Sequence, residues 1–318
     1  MLAQTDGKGN ATTFEYNSMN RQARKIDHGG KTTAAGKDSY DPAKTETCTY
    51  YANGLMASKT DRNGKVTVYL YDSHGRMLSQ KVDSNQISYT YDDNGNQLSM
   101  TDITGTTRRT YDELNRVTVK SVPKMGTMTF QYDITASDAE WNVAAGLFDT
   151  GYTAEGSKDV KGHKTLKIYD AAGRLKNVCE YTDSSTWNVT TYNYDANGNR
   201  ESVVYPDNKT KEVYEYYDDN LLKKLTNIKN DGTTVMDSYS YEYDAAHNQL
   251  TKTEKVNDTD KGTTKYTYDS LNRLETVTEP GSRLTGYTFD KAGNRETEKI
   301  TSGSSITLTT YTYNEQNR

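Results

Sequence analysis

The feature that most limits the fold of this chain is a short motif, opening on Tyr-Asp, that recurs along almost its whole length. It reads YDSHGR at Tyr71, YDDNGN at Tyr91, YDELNR at Tyr111, YDAAGR at Tyr169, YDANGN at Tyr194, YDSLNR at Tyr268 and FDKAGN at Phe289. Looser copies stand at Tyr16 (YNSMNR), Tyr50 (YYANGL), Tyr217 (YDDNLL), Tyr243 (YDAAHN) and Tyr313 (YNEQNR), and Tyr132 keeps only the Tyr-Asp pair. From Tyr50 the intervals to Tyr71, Tyr91, Tyr111 and Tyr132 are 21, 20, 20 and 21 residues; from Tyr169 onward they are 25, 23, 26, 25, 21 and 24. A period of about twenty residues with insertions marks an array whose units bury apolar surface by stacking on their neighbours.

Within a unit the local physics is legible. Aromatic residues fall at i and i+2 before the turn, as in Tyr69/Tyr71, Tyr89/Tyr91, Tyr192/Tyr194, Tyr266/Tyr268 and Tyr287/Phe289, and a period of two is one face of a strand. The aspartates that follow, Asp72, Asp92, Asp112, Asp170, Asp195, Asp269 and Asp290, can accept from backbone N–H groups two residues on and so hold a turn. The fifth position is Gly at Gly54, Gly75, Gly95, Gly173, Gly198 and Gly293, and Asn at Asn20, Asn115, Asn272 and Asn317. These two residue types best tolerate a left-handed backbone. Each copy leaves through Arg or Asn into a β-branched run such as RVTVKSV, so the motif reads as a hairpin turn. Looser breakers between the copies, such as DRNGK at Asp61 and EPGS at Glu279, supply a second turn per unit.

The expectation is an all-β repeat array of antiparallel β-hairpins in one coiled sheet. Thirteen copies of two strands give about 26 strands and a sheet roughly 125 Å wide. Closed into a ring it would leave a lumen about 40 Å across, too wide for side chains to fill, so it must spiral round a hollow, fold on itself or belong to a larger shell. Composition supports strands over disorder: hydrophobic content is only 32% with a mean hydropathy of -0.98, but 27 Tyr stand against 4 Phe and 2 Trp, periodically spaced among Thr and Val. In KVTVYLYD, the residues Val66, Val68 and Leu70 oppose the tyrosine face, which predicts packing on both sides of the sheet there. Residues 1–318 read as a single YD-repeat array, with incomplete repeats at both ends and irregular inserts around 22–49 and 134–168. Trp141, inside the second insert, reads as a plug packed on the sheet.

Other chemistry is thin. His28, His74, His163 and His247 lack metal-ligand spacing, and Cys48 and Cys179 form no disulfide framework and read as buried small apolar residues. The DDNGN stretch at Asp92 places Gly95 fourth, where a calcium loop needs Gly at its sixth position. No cofactor, metal or catalytic residue is assigned. A net charge of -5 with mixed signs gives no electrostatic footprint for nucleic acid, and no apolar run reaches the length of a membrane span or forms a signal peptide.

The YDxxGN/R pattern, its period and the paired YxYD strands closely resemble the Rhs/YD-repeat family, which includes bacterial Rhs polymorphic toxins, Tc toxin shell subunits, wall-associated toxins and teneurins. The resemblance spans Phe14 to Arg318. It implies a spiralling β-sheet shell, secreted or at the bacterial surface, that encapsulates a C-terminal toxin domain. The family's YDPxxGRF closing segment is absent: Tyr40-Asp41-Pro42 is followed by AKTETC and reads as a degenerate repeat, so no protease residues carry over. The chain is expected to be a piece of a longer protein. The leading functional expectation is a non-enzymatic shell segment. The alternative is an adhesion or carbohydrate-binding module that stacks exposed Tyr rows on cell-surface glycans or proteins. A hydrolase would need paired carboxylates in a cleft, and no acidic pair stands apart from the repeats.

Overall fold

The structure, a computed structural model, describes residues 3–6, 9–141, 146–181 and 186–314. Among the described residues, twenty-six strands form one antiparallel sheet that does not close, and a separate hairpin pairs Lys31–Ala34 with Lys37–Tyr40. Pairing follows chain order: Met77–Val82 lies between Val66–Tyr71 and Asn85–Tyr91, and Gln97–Asp102 between Asn85–Tyr91 and Gly105–Tyr111. Gln22–Ile26 pairs onward with Thr45–Tyr50 because the Lys31–Tyr40 hairpin loops out between them. Among the described residues the helical segments are two 3-10 turns, Pro42–Lys44 and Ala139–Trp141.

A register shift recurs immediately before the motif tyrosine, at Thr49/Tyr50, Leu70/Tyr71, Thr90/Tyr91, Thr110/Tyr111, Asn193/Tyr194 and Thr267/Tyr268 among others. The partner strand carries one extra residue at each, such as Leu98 between Gln97 and Ser99. This is a β-bulge, which bends the strand and increases its twist. In the copy expected to begin at Tyr217 the shift falls between Glu215 and Tyr216. The motif frame there is therefore corrected by one residue, with Tyr216 first and Tyr217 in the aspartate position.

Because opposed residues share a face, the register separates two surfaces. One carries the motif tyrosines and the residues two positions earlier, most of them half-buried, with Tyr16 exposed. The other carries the residue between them, and there cross-strand hydroxyls meet: Thr49 with Ser58, Thr90 with Ser99, Thr267 with Thr276 and Thr288 with Thr297, each at 2.7 Å.

Contacts divide the chain into two compact units, one of Met1–Thr127 with Phe289–Glu296 and Tyr311–Arg318, the other of Met128–Thr288 with Thr297–Thr310. In the first, the Lys31–Tyr40 hairpin is tied to the sheet through Glu15, whose carboxylate accepts from Lys31 at 2.8 Å, Arg24 at 3.0 Å and the Tyr40 hydroxyl at 3.0 Å. The YDP stretch that closes this hairpin is not a decayed repeat turn. Asp41 caps the 3-10 turn, accepting from the Ala43 N–H at 3.0 Å, because Pro42 has no N–H to donate and fixes the first helical φ. Val66, Val68 and Leu70 are 44%, 42% and 51% exposed, so nothing covers that face and the expectation of packing on both sides fails there. Val68 and Leu70 lie opposite Ser58, Lys81 and Ser79, none of which supplies an apolar partner.

In the second unit the insert folds onto the hydroxyl-bearing face. Ile134, Trp141 and Ala154 cluster with Leu166, Ile168 and Cys179, all buried, and Trp187 and Val189 pack at the margin. Trp141 donates its indole N–H to Gln131 Oε1 at 2.7 Å and lies over Gly156. A Cβ added to that glycine would meet the Trp141 ring at 2.5 Å. The irregularity is shorter than 134–168, since Thr153–Lys158 and Lys164–Tyr169 are ordinary paired strands. Outside this cluster only Ile26 and Val203 are buried apolar residues among those described. Cys179 is fully buried, and its thiol is pushed up to about 12 by that burial. Cys48 is only half-buried, contrary to expectation: it stands two residues before Tyr50, on the tyrosine face, not on the face that the insert covers in the second unit.

Candidate functional site

The motif is built as a three-residue hairpin loop, a type I turn followed by a left-handed residue. In the copy at Tyr194, the Asp195 N–H donates to the Asn199 carbonyl at 2.9 Å and the Gly198 N–H to the Asp195 carbonyl at 3.1 Å. Gly198 has φ +88°. The same pair of bonds closes the turns at Asp72, Asp92, Asp112, Asp170, Asp269 and Asp290. The fifth residues Gly75, Gly95, Asn115, Gly173, Asn272 and Gly293 all have φ between 58° and 91°. His247 is left-handed too, at +66°, whereas Asn317 lies outside the described residues.

The aspartate holds this loop from inside. Asp195 Oδ1 accepts from the N–H groups of Asn197 at 2.9 Å and Asn199 at 2.8 Å, and Oδ2 accepts from Asn199 Nδ2 at 3.1 Å. Where the sixth residue is Arg, Nε takes over the second oxygen: Arg76 to Asp72 at 2.6 Å, Arg116 to Asp112 at 2.8 Å, Arg174 to Asp170 at 2.9 Å and Arg273 to Asp269 at 2.7 Å. These bonds hold the carboxyls below their ordinary range. The Asn96 side chain is the main cause at Asp92, the Arg116 N–H at Asp112, the Asn248 side chain at Asp244 and the Arg273 N–H at Asp269.

The tyrosine acts between units. The Tyr91 hydroxyl donates to the Met77 carbonyl at 2.8 Å, Tyr111 to Gln97 at 2.8 Å, Tyr194 to Leu175 at 2.7 Å and Tyr268 to Gln249 at 2.9 Å. Each acceptor lies six residues after the motif tyrosine of the preceding unit, just past its turn. Tyr50, Tyr216 and Tyr243 reach the equivalent carbonyls of Gln22, Arg200 and Leu222. Tyr169, which follows the insert, instead donates to Glu155 at 2.7 Å and is pushed up to about 12 by burial and that carboxylate. Phe289 has no hydroxyl to donate.

Two copies have Tyr in the aspartate position. Tyr51 and Tyr217 pack edge-on against the next motif tyrosines, Tyr71 at 6.2 Å and Tyr243 at 6.4 Å between centroids. Their hydroxyls donate to the Tyr69 and Tyr241 carbonyls. The lost turn acceptor is replaced from the fourth position, where Asn53 and Asp219 accept from the N–H of Leu55 and Leu221 at 3.1 Å. The sequence signal for this variant is the Tyr-Tyr doublet joined to Leu at position six. The tyrosine acceptors are not visible from spacing within one unit, because they lie in the adjacent unit.

Among the described residues no group of three His, Cys, Asp or Glu side chains is arranged to hold a metal ion, and no helix formed by them is long and apolar enough to cross a membrane. A family model, the RHS Repeat, matches residues 50–87, 91–124, 169–210 and 268–307. The chain carries RHS repeats. The RHS model passes over 125–168, which holds the Trp141 insert, and 211–267, which holds the Tyr217 turn and the histidine-bearing turn at His247. Among solved structures this RHS-repeat chain is similar to TcdB2-TccC3 (TM-score 0.69, 17% identity, 99% of this chain and 19% of that one). It is also similar to TcdB2-TccC3 without hypervariable C-terminal region (0.68, 17%, 99% and 19%) and to TcdB2-TccC3-Cdc42 (0.68, 17%, 97% and 18%). It thus spans less than a fifth of those chains, and at this identity the likeness is one of fold. No curated protein matches the RHS-repeat chain.

Proposed function

We propose that this RHS-repeat chain is a wall segment of a shell that encloses or displays an effector domain carried further along the native polypeptide, secreted or at the bacterial surface. The observation that carries this reading is the destination of the motif's polar atoms. Each aspartate is consumed by its own turn, and most motif tyrosines by the backbone of the preceding unit. The conspicuous repeated residues therefore build and dock hairpins, and the match to part of TcdB2-TccC3 supports the same wall geometry.

The test starts from the native polypeptide that carries these repeats. Its intact mass is measured, and it is then treated with a nonspecific protease at neutral pH. A species well above 35.8 kDa, whose non-repeat C-terminal segment resists cleavage until the repeats are unfolded, is the expected result. A segment cleaved as fast in the folded as in the unfolded protein would overturn enclosure.

One observation favours surface binding as a second reading. Beside each Tyr-Tyr doublet lies an open cleft of about 470 Å³ or 650 Å³, walled by Tyr51 and Tyr71 with Asn53 and Asp72, or by Tyr217 and Tyr243 with Asp219 and Asp244. Aromatic faces beside polar acceptors suit a saccharide. Saturable glycan binding lost in both Tyr51→Ala and Tyr217→Ala would establish it, and no binding on a broad glycan panel would remove it.

A further inference from the structure

We infer that the sixth residue of each motif selects the fifth residue of the next, so that adjacent RHS repeats are matched in pairs. Three instances show the asparagine form. Asn96 Nδ2 donates both to its own Asp92 at 2.9 Å and to Asn115 Oδ1 of the next turn at 2.7 Å. Asn199 bridges Asp195 and Asn220 at 3.1 and 2.7 Å, and Asn248 bridges Asp244 and Asn272, both at 3.0 Å. The left-handed fifth residue thus points its amide oxygen back at the preceding turn, and a short carboxamide there has the reach and the donor to meet it.

Arginine meets the next turn differently. Arg76 binds Asp72 through Nε, while Nη1 reaches the Asp92 carbonyl at 2.7 Å and the guanidinium lies 5.1 Å from the Tyr91 ring. Arg174 lies 4.6 Å from the Tyr194 ring. A Cβ at Gly54 would stand 2.8 Å from Arg21 Nη2 and one at Gly198 would touch Arg174 Nη1 at 3.9 Å, whereas at Gly95 and Gly293 a Cβ would meet nothing within 4 Å. The common element is therefore that the guanidinium is turned to the next turn's backbone and tyrosine ring, and crowding adds to it at Gly54.

The sequence follows this division without exception wherever a motif with a sixth-position Arg or Asn is followed by another intact one. Arg21, Arg76, Arg174 and Arg273 precede Gly54, Gly95, Gly198 and Gly293. Asn96, Asn199, Asn248 and Asn294 precede Asn115, Asn220, Asn272 and Asn317. Leucine, which offers neither donor nor guanidinium, precedes Gly75 after Leu55 and His247 after Leu221. The choice of Gly or Asn at a left-handed position is therefore set by the neighbour as well as by the turn's own φ, since either residue satisfies the φ alone. The partner each turn edge fits is a hairpin of the matching class. This matching governs which repeats can be adjacent, whether or not the array encloses anything.

A double-mutant cycle in the full chain tests the pairing. Asn199→Arg is combined with Asn220→Gly, and the reverse swap, Arg174→Asn with Gly198→Asn, is made at a second junction. The readouts are melting temperature and hydrogen exchange of the peptides that span the two turns. Asn199→Arg alone should lower the melting point by about 2–4 °C and speed exchange at the Asn220 turn. Adding Asn220→Gly should restore both, although it removes a hydrogen-bonding side chain. Gly198→Asn should likewise be harmful while Arg174 is present and tolerated once Arg174→Asn accompanies it. Additive single effects at both junctions, with no rescue in either double variant, would overturn the inference. If one variant failed to fold, the other junction alone would decide.

Discussion

At the scale of the residue, the motif aspartate and glycine divide the work of one turn. Gly198 sits at φ +88°, where a β-branched side chain is strained by about 1–3 kcal/mol. A Cβ there would meet nothing nearer than Arg174 Nη1 at 3.9 Å, so Gly198→Val should destabilise through the backbone alone. Asp195→Ala, which removes the acceptor of three bonds on the open face of the loop, should cost less, about 1 kcal/mol. Hydrogen exchange of the 194–200 turn ranks the two, and a valine variant with unaltered exchange would refute the left-handed assignment.

The aspartates also fix a pH response. Their folded carboxyls lie below the unfolded value of about 3.9, so their stabilisation is complete above that value and is lost as pH falls through the folded values. The melting point should therefore hold from pH 7 to about 5 and drop below about 4. Asn17 already serves one turn as an amide, accepting from the Met19 and Arg21 N–H groups at 3.0 and 2.9 Å. Asp92→Asn with Asp244→Asn should accordingly keep the fold at pH 7 and flatten the acid drop; an unchanged acid profile would place its source elsewhere.

At the scale of the element, the tyrosine hydroxyl adds a side-chain tie between one hairpin and the one before it, beside the strand pairing that already joins them. Tyr268→Phe would leave the Gln249 carbonyl without this donor, at a cost of about 0.5–1.5 kcal/mol, with faster exchange around Gln249 and little change elsewhere. Phe289 shows that the ring alone is tolerated in one unit. If exchange at Gln249 stayed the same, the docking role would pass to the ring.

The hairpin itself was legible in the sequence because both of its determinants are local: alternation along Tyr69 and Tyr71, and a left-handed residue at Gly75. The tyrosine's acceptor was not legible, since Met77 is singled out by register across units and offers only a backbone carbonyl, which any residue would provide. The one-residue frame error at Tyr217 has the same origin. Tyr216 and Tyr217 are chemically interchangeable as letters, and only the bulge between Glu215 and Tyr216 tells them apart.

At the scale of the whole molecule, stability rests on neighbours, with one exception. Among the described residues most units lack a buried apolar core of their own, and the one substantial cluster gathers under the insert around Trp141. Both tryptophans of the chain, Trp141 and Trp187, belong to that cluster, with ring centroids 6.4 Å apart. Tryptophan fluorescence therefore reports one locality, while far-ultraviolet circular dichroism reports every strand. In an array with nearest-neighbour coupling the two signals need not change together. In urea, strands far from the cluster should melt first, with the dichroism midpoint below the fluorescence midpoint. Gly156→Ala, which drives a methyl into the Trp141 ring and Ile134, should lower the fluorescence midpoint more than the dichroism midpoint and so narrow the gap. Coincident transitions in both proteins would mean that the sheet unfolds as a single cooperative body, and the neighbour-by-neighbour account of its stability would have to be abandoned.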